Sequence, residues 1–160
     1  MPTTNDGDSR MSTTTIAELP AFKGQELGTS EWFDITQERV NTFADATDDH
    51  QWIHVDVERA KRESPFGGPV AHGFLTLSLL IPMWSQVLTV TDATMEVNYG
   101  LNKVRFPSPV PVGGRIRLTA TLTDVTEVKG GLQVTVSAVI QLEGGDKPAC
   151  VAEPIFRYYT

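Results

Sequence analysis

A single cysteine, Cys150, occurs among the 160 residues, so no disulfide can close within the chain, which fits a reducing compartment such as the cytoplasm. Positive charge is scarce as well: 13 Lys and Arg against 20 Asp and Glu leave a net charge of −7, with no basic run. Nucleic acids and anionic membranes bind through clustered cations, so neither is expected as a partner. Long apolar runs are also missing. The longest candidate, Gly73 to Leu88, is interrupted by Thr76, Ser78, Pro82, Ser85 and Gln86 and is too short to cross a bilayer. Neither an HExxH nor a CxxC spacing occurs, so no metal is expected; Asp49, His54 and His72 would be the residues to hold one. Met1 to Thr15 lacks an apolar core and is rich in Thr, Ser, Asp and Gly. It is expected to be a disordered tail rather than a secretory signal, with residues 16–160 as one domain.

The first half of that domain reads as helical. A short strand is predicted over Glu31 to Ile35, after which Thr36 offers a hydroxyl to cap a helix with Val40, Phe43 and Ala44 on one face. That helix runs out near Thr47. Asp48 to Asp56 is polar and without period, hence a loop, and Asp56 can cap a short helix through Arg62. The turn-rich Pro65-Phe66-Gly67-Gly68-Pro69 leads through His72-Gly73 into a helix from Phe74 to about Leu88. Its apolar character nearly all round predicts that other elements enclose it, and Pro82 should kink it.

From there the pattern changes to alternation. Ile116, Leu118, Ala120 and Leu122, then Leu132, Val134, Val136, Ala138, Ile140 and Leu142, mark half-buried strands. Gly130-Gly131 and Gly144-Gly145 supply the glycines that hairpin turns between them need. Two further strands are predicted over Thr94 to Phe106, with Gly100 as a bulge, and over Ala149 to Tyr158, where Pro154 suggests an edge or a bulge. The architecture expected is α+β: one long helix wrapped by a single antiparallel sheet.

All three histidines, His50, His54 and His72, fall within residues 50–72, beside Asp45, Asp48, Asp49 and Asp56. A carboxylate and an imidazole can hold one water between them and exchange protons with it near neutral pH. Asp49 and His54 are separated by His50-Gln51-Trp52-Ile53, a stretch able to turn both toward one point.

The run Phe43 to His54, with Thr47-Asp48-Asp49-His50-Gln51-Trp52-Ile53-His54 and then Ala60, resembles the motif of MaoC-like proteins and hydratase 2: Phe/Tyr, a few residues, Ser/Thr-Gly-Asp-x-Asn-Pro-aliphatic-His, five residues, Ala/Ser. It departs from that motif at Asp48 for Gly, Gln51 for Asn and Trp52 for Pro. Pro69-Val70-Ala71-His72-Gly73-Phe74 is similar to the family's His-Gly lead into its central helix, and Arg105-Phe106 through Gly113 to its Arg-Phe-x-x-Pro-Val-x-x-Gly turn. The resemblance spans roughly Gly28 to Tyr158 and is close to the small single-domain members grouped with nodulation protein N.

This resemblance implies a hot-dog domain and an (R)-specific enoyl-CoA hydratase of fatty acid metabolism, a reversible lyase needing no cofactor beyond the coenzyme A of its substrate. Asp49 and His54 are then expected to be catalytic, activating water for C3 and returning a proton to C2. The Gly73 N–H is expected to meet the thioester oxyanion, and Gln51 to supply an amide to the water. His72 is expected near the substrate, fixing the turn before the helix with its ring on a nearby carbonyl. Trp52 either lines the acyl pocket or packs the loop, and Arg105 either meets the coenzyme A phosphates or lies on a solvated face. The resemblance also implies a homodimer joined through sheet edges, with the pantetheine arm along the interface. Two rivals stand beside this reading: a hot-dog acyl-CoA thioesterase, and a non-catalytic hot-dog subunit that binds acyl chains or supports a partner.

Overall fold

The computed structural model describes residues 11–160. Residues 1–10, most of the segment expected as a tail, lie outside the described residues. The end of that segment is not tail-like: Ser12–Thr14 form strand β1, parallel to β4 (Leu88–Val90). The hydroxyl of Ser12 donates to the Leu27 carbonyl at 2.6 Å, and Thr14 is buried. These partners are distant in sequence, so local composition gave no sign of them.

A 3-10 turn at Leu19–Phe22 precedes β2 (Glu26–Thr29) and the two-residue β3 (Phe33–Asp34), both pairing antiparallel with β6 (Arg115–Val128). Only β3 falls within the predicted strand. Helix α1 (Gln37–Thr47) is capped by Thr36, whose hydroxyl accepts from the Arg39 N–H at 3.1 Å, and it buries Val40 and Ala44. Two short helices follow, α2 (Trp52–Val55) and α3 (Val57–Glu63), the second capped by Asp56.

The central helix is two pieces, α4 (Gly73–Ser78) and α5 (Leu80–Val87), meeting at Leu79. Pro82 has no N–H to return to Ser78, and its ring crowds that carbonyl, so the irregularity falls a turn before the proline itself. Leu75, Leu80, Met83, Trp84 and Val87 pack inward. The expectation of full enclosure does not hold within one chain. Phe74 is 70% exposed and Ile81 is also exposed, along one side of the helix.

The sheet runs in the order β2-β6-β7-β8-β5, all antiparallel, with β5 (Met95–Arg105), β6 (Arg115–Val128), β7 (Gly131–Leu142) and β8 (Cys150–Tyr159). Ile116, Leu118, Ala120 and Leu122 on β6 and Val134, Val136, Ala138 and Ile140 on β7 face the helix and are buried, as the alternation predicts. The hairpin glycines Gly130 and Gly144 sit at φ +82° and +75°. Pro154 is not on an edge, because β8 lies between β7 and β5; the irregularity is carried by β5, whose register shifts between Asn98 and Gly100 and between Leu101 and Val104. Strand β5 is itself the edge, mostly exposed along its 11 residues.

Candidate active site

The loop between α1 and α2 begins with an unusual residue. Asp48 caps α1 in the left-handed conformation at φ +57°, where the related motif has glycine, and its N–H returns to the Ala44 carbonyl. Aspartate tolerates that region better than most side chains. The reversal carries Asp49 back toward the start of α4, its own N–H also reaching the Ala44 carbonyl at 3.2 Å. Its side chain is 51% exposed, so the carboxylate opens to solvent.

His54 sits in the single turn of α2 and is 7% exposed. Its Nδ1 lies 2.6 Å from the Val70 carbonyl, which can only accept, so Nδ1 carries the proton and neutral Nε2 keeps a free lone pair. The Val70 N–H in turn donates to the Ile53 carbonyl, fastening the segment ahead of α4 to α2. Burial pulls the His54 pKa below its ordinary 6.5. The Val70 bond opposes this, nearby His72 adds to the lowering, and the Asp49 charge opposes it. The imidazole is therefore held in its proton-accepting form at neutral pH.

His72, 2% exposed, stacks on His54 with ring centroids 3.9 Å apart and planes at 23°, and Phe43 lies against it at 4.8 Å. Its Nε2 donates to the backbone carbonyl of Asp49 at 2.9 Å; the Asp49 carboxylate, at 3.9 Å, is beyond hydrogen-bond reach. One potential metal-ligand atom from each of Asp49, His54 and His72, a carboxylate oxygen or a ring nitrogen, falls within 4.8 Å of the others. A metal lies near the plane of each imidazole that ligates it, and two stacked rings share no such point, so metal binding would require the stack to open. A water making two hydrogen bonds of ~2.8 Å spans such a gap without rearrangement.

A cleft of about 310 Å³ opens beside His54, lined also by Ile53, Phe66, Val70, Gly73 and Phe106 among others. Gly73 is the first residue of α4 and is exposed; among the described residues no carbonyl accepts its N–H. A Cβ placed there would come within 3.3 Å of the Phe106 ring, so glycine keeps the passage open. A second cleft of about 270 Å³ runs between α4–α5 and β5, past Leu77, Ile81, Asn98, Leu101 and Phe156.

Of the site residues named from sequence, His54 and Gly73 line the first cleft; Asp49 and His72 stand next to His54 without lining it, and the others lie apart. Gln51 precedes α2 with an exposed side chain, Trp52 packs under the Arg59 guanidinium at 4.3 Å, and exposed Arg105 donates to its neighbour's carbonyl, that of Val104. His50 pairs at the surface with Asp45. Sequence reasoning missed Gln37, whose Nε2 donates to the His54 carbonyl at 2.8 Å, and the Val70 carbonyl. A backbone acceptor leaves no mark in a sequence, and a polar residue in the first turn of a helix is ordinary.

A single antiparallel sheet wrapped on a central helix is the hot-dog architecture, here with a carboxylate and a neutral imidazole meeting at the start of that helix. The chain belongs to the MaoC-like domain family, whose model matches residues 19–143. It is 56% identical over 144 residues to 3-hydroxyacyl-thioester dehydratase Z of Mycobacterium tuberculosis, covering 89% of this chain and 95% of that one. To nodulation protein N of Rhizobium leguminosarum bv. viciae it is 47% identical over 140 residues, 86% of each chain. Among solved structures, the (R)-hydratase from A. caviae involved in PHA biosynthesis superposes with a TM-score of 0.68 at 24% identity, covering 84% of this chain and 94% of that one; at that identity the likeness concerns the fold.

Proposed function

We infer that the protein is an (R)-specific enoyl-CoA hydratase, adding water to a trans-2-enoyl thioester to give the (R)-3-hydroxyacyl thioester, and running equally as the dehydratase. The observation that carries this reading is the placement of a carboxylate oxygen of Asp49 and a ring nitrogen of His54 within 4.8 Å of each other, with His54 Nε2 left free by the Val70 bond at Nδ1, near a Gly73 N–H that no carbonyl accepts among the described residues. Hydration needs a water aimed at C3, a proton for C2, and a donor for the charge that grows on the thioester oxygen. Asp49 and His54 hold the water as a coupled pair: its proton passes to the pair, its oxygen bonds to C3, and the pair returns a proton to C2. The Gly73 N–H meets the oxyanion. Every proton taken is returned, so this chemistry asks for no cofactor.

The thioester carbonyl enters the first cleft, and the acyl tail follows the same side of the helix toward the second. The exposed edge of β5 and the bare helix side at Phe74 and Ile81 support a homodimer, in which two β5 edges pair and the helices cover each other. The single buried cysteine supports a cytoplasmic setting, and among the described residues no helix is long and apolar enough to cross a membrane.

The test is turnover of crotonyl-CoA by the purified chain, followed as loss of the enoyl absorbance with a thiol reagent present. Asp49→Asn and His54→Gln are each expected to lower kcat by ~10²-fold or more while circular dichroism is unchanged. Release of free coenzyme A in place of hydration, or full activity in both variants, would overturn the reading.

A further inference from the structure

We propose that Gln37 and His72 are positioning residues that set the spacing of the water-binding pair, each holding the backbone carbonyl of one partner. Gln37 Nε2 donates to the His54 carbonyl at 2.8 Å, and His72 Nε2 donates to the Asp49 carbonyl at 2.9 Å. Neither side chain is placed on the reacting atoms, so both act through Asp49 and His54. The proposal rests on the hydratase reading for its kinetic consequence, but not for its geometry.

The need for such holding follows from local structure. Helix α2 is one turn of four residues, too short to be stable alone, and the His54 carbonyl near its end has no helical partner. Gln37, at the first position of α1, reaches across to satisfy it. The loop from Asp48 to Gln51 has no strand or helix of its own; its Asp49 carbonyl is tied down from the residue preceding α4. The first residue of α1 and the residue that leads into α4 thereby fix the two halves of the pair.

Two details mark the donors as the working part of each side chain. The Gln37 Oε1 is buried and, among the described residues, finds no partner, an expense that a residue serving only to fill space would not carry. The Gln37 Nε2 also donates to Asn41 Oδ1 at 2.9 Å, one turn along α1, which holds the amide with its nitrogen toward the His54 carbonyl. His72 is alike: its Nδ1 is buried without a partner among the described residues while its Nε2 donates, and its ring adds a second contact, stacked on that of His54 and backed by Phe43. Donor and stack can be separated by substitution.

His72→Phe keeps a ring to stack and removes the donor, whereas His72→Gln keeps a donor at similar reach and removes the ring. Gln37→Met keeps length and removes both the donor and the orphaned acceptor, which favours a folded variant. A displacement of ~1 Å in a reacting group can cost up to ~100-fold, so Gln37→Met and His72→Phe are each expected to lower kcat on crotonyl-CoA about 10- to 100-fold with KM within about threefold. His72→Gln is expected to recover most of what His72→Phe loses. Turnover within about twofold of the wild type in both donor-less variants, or better turnover in His72→Phe than in His72→Gln, would overturn the proposal. If the wild type hydrates no enoyl thioester, the hydratase reading fails and the clamp is read instead by nitrogen NMR of His54. The Nδ1-protonated signature is then expected in the wild type and lost in Gln37→Met, and its unchanged persistence there would overturn the clamp.

Discussion

Replacing Asp48 by glycine should leave the protein as stable or more so, and the magnitude can be worked from the end of α1. Asp48 holds φ +57°, a left-handed conformation costing an L-residue ~1–2 kcal/mol, with aspartate at the low end. Its carboxylate stands at a helix C-terminus, where a negative charge is unfavourable by ~0.3–1 kcal/mol. Against these, glycine gives up ~0.5–1 kcal/mol through the greater freedom of its unfolded state. Among the described residues Asp48 makes no side-chain hydrogen bond that would be lost, and it is exposed. The balance favours Asp48→Gly by ~0.5–1 kcal/mol, a rise in melting temperature of about 1–4 °C. Asp48→Val, with a β-branched side chain in the same conformation, should lose ~2 kcal/mol and displace Asp49. Thermal denaturation of the three proteins, with hydratase turnover in parallel, provides the assay. A fall of more than about 1 kcal/mol in Asp48→Gly, or no effect in Asp48→Val, would refute the left-handed cap and the placement of Asp49 that depends on it.

Gly73→Ala brings a Cβ to 3.3 Å from the Phe106 ring beside the proposed oxyanion donor, so kcat should fall ~10-fold or more with a melting temperature within about 2 °C of wild type. The lowered pKa of His54, due first to its burial, should keep kcat/KM on its plateau below pH 6.5, with the acid limb lying under the ordinary histidine value. The same shift affects stability: the unfolded chain takes the proton first, so the contribution is complete above 6.5 and is lost as pH falls toward the folded pKa, which melting curves across that range will register. Trp84→Phe removes the indole N–H that donates to Glu96 and to Tyr158, both at 2.9 Å, while keeping a ring to stack on Phe156. A loss of ~1–2 kcal/mol in urea denaturation is expected, and no loss would mean that network carries no net stability.

What the sequence makes legible here is what repeats along it or sits close together in it. The alternation from Ile116 to Leu122 and from Leu132 to Ile140 could be read directly, because a strand's inward face is written every second residue. The Asp49 to His54 spacing was readable because both lie in one short stretch, although that stretch is not all loop as expected: Trp52–Val55 close into the single turn of α2. Strands β1, β2 and β4 left no such trace: they are three or four residues long and owe their existence to partners 60 or more residues away, as Ser12 does to Leu88. Gln37 and the Val70 carbonyl complete the His54 environment from elements 17 and 16 residues distant, which only folding brings together. The bare side of the central helix escaped notice because an all-round apolar pattern marks burial without saying which chain provides it.

Chiral analysis of the product formed from crotonyl-CoA by the purified chain tests the central claim most directly. On the proposed reading, a water held by Asp49 and His54 with the thioester oxygen at Gly73 reaches one face of the alkene only, so a single enantiomer is predicted, the (R)-3-hydroxyacyl thioester expected of a hydratase of this family. Formation of the (S) alcohol, or of free coenzyme A, would contradict it.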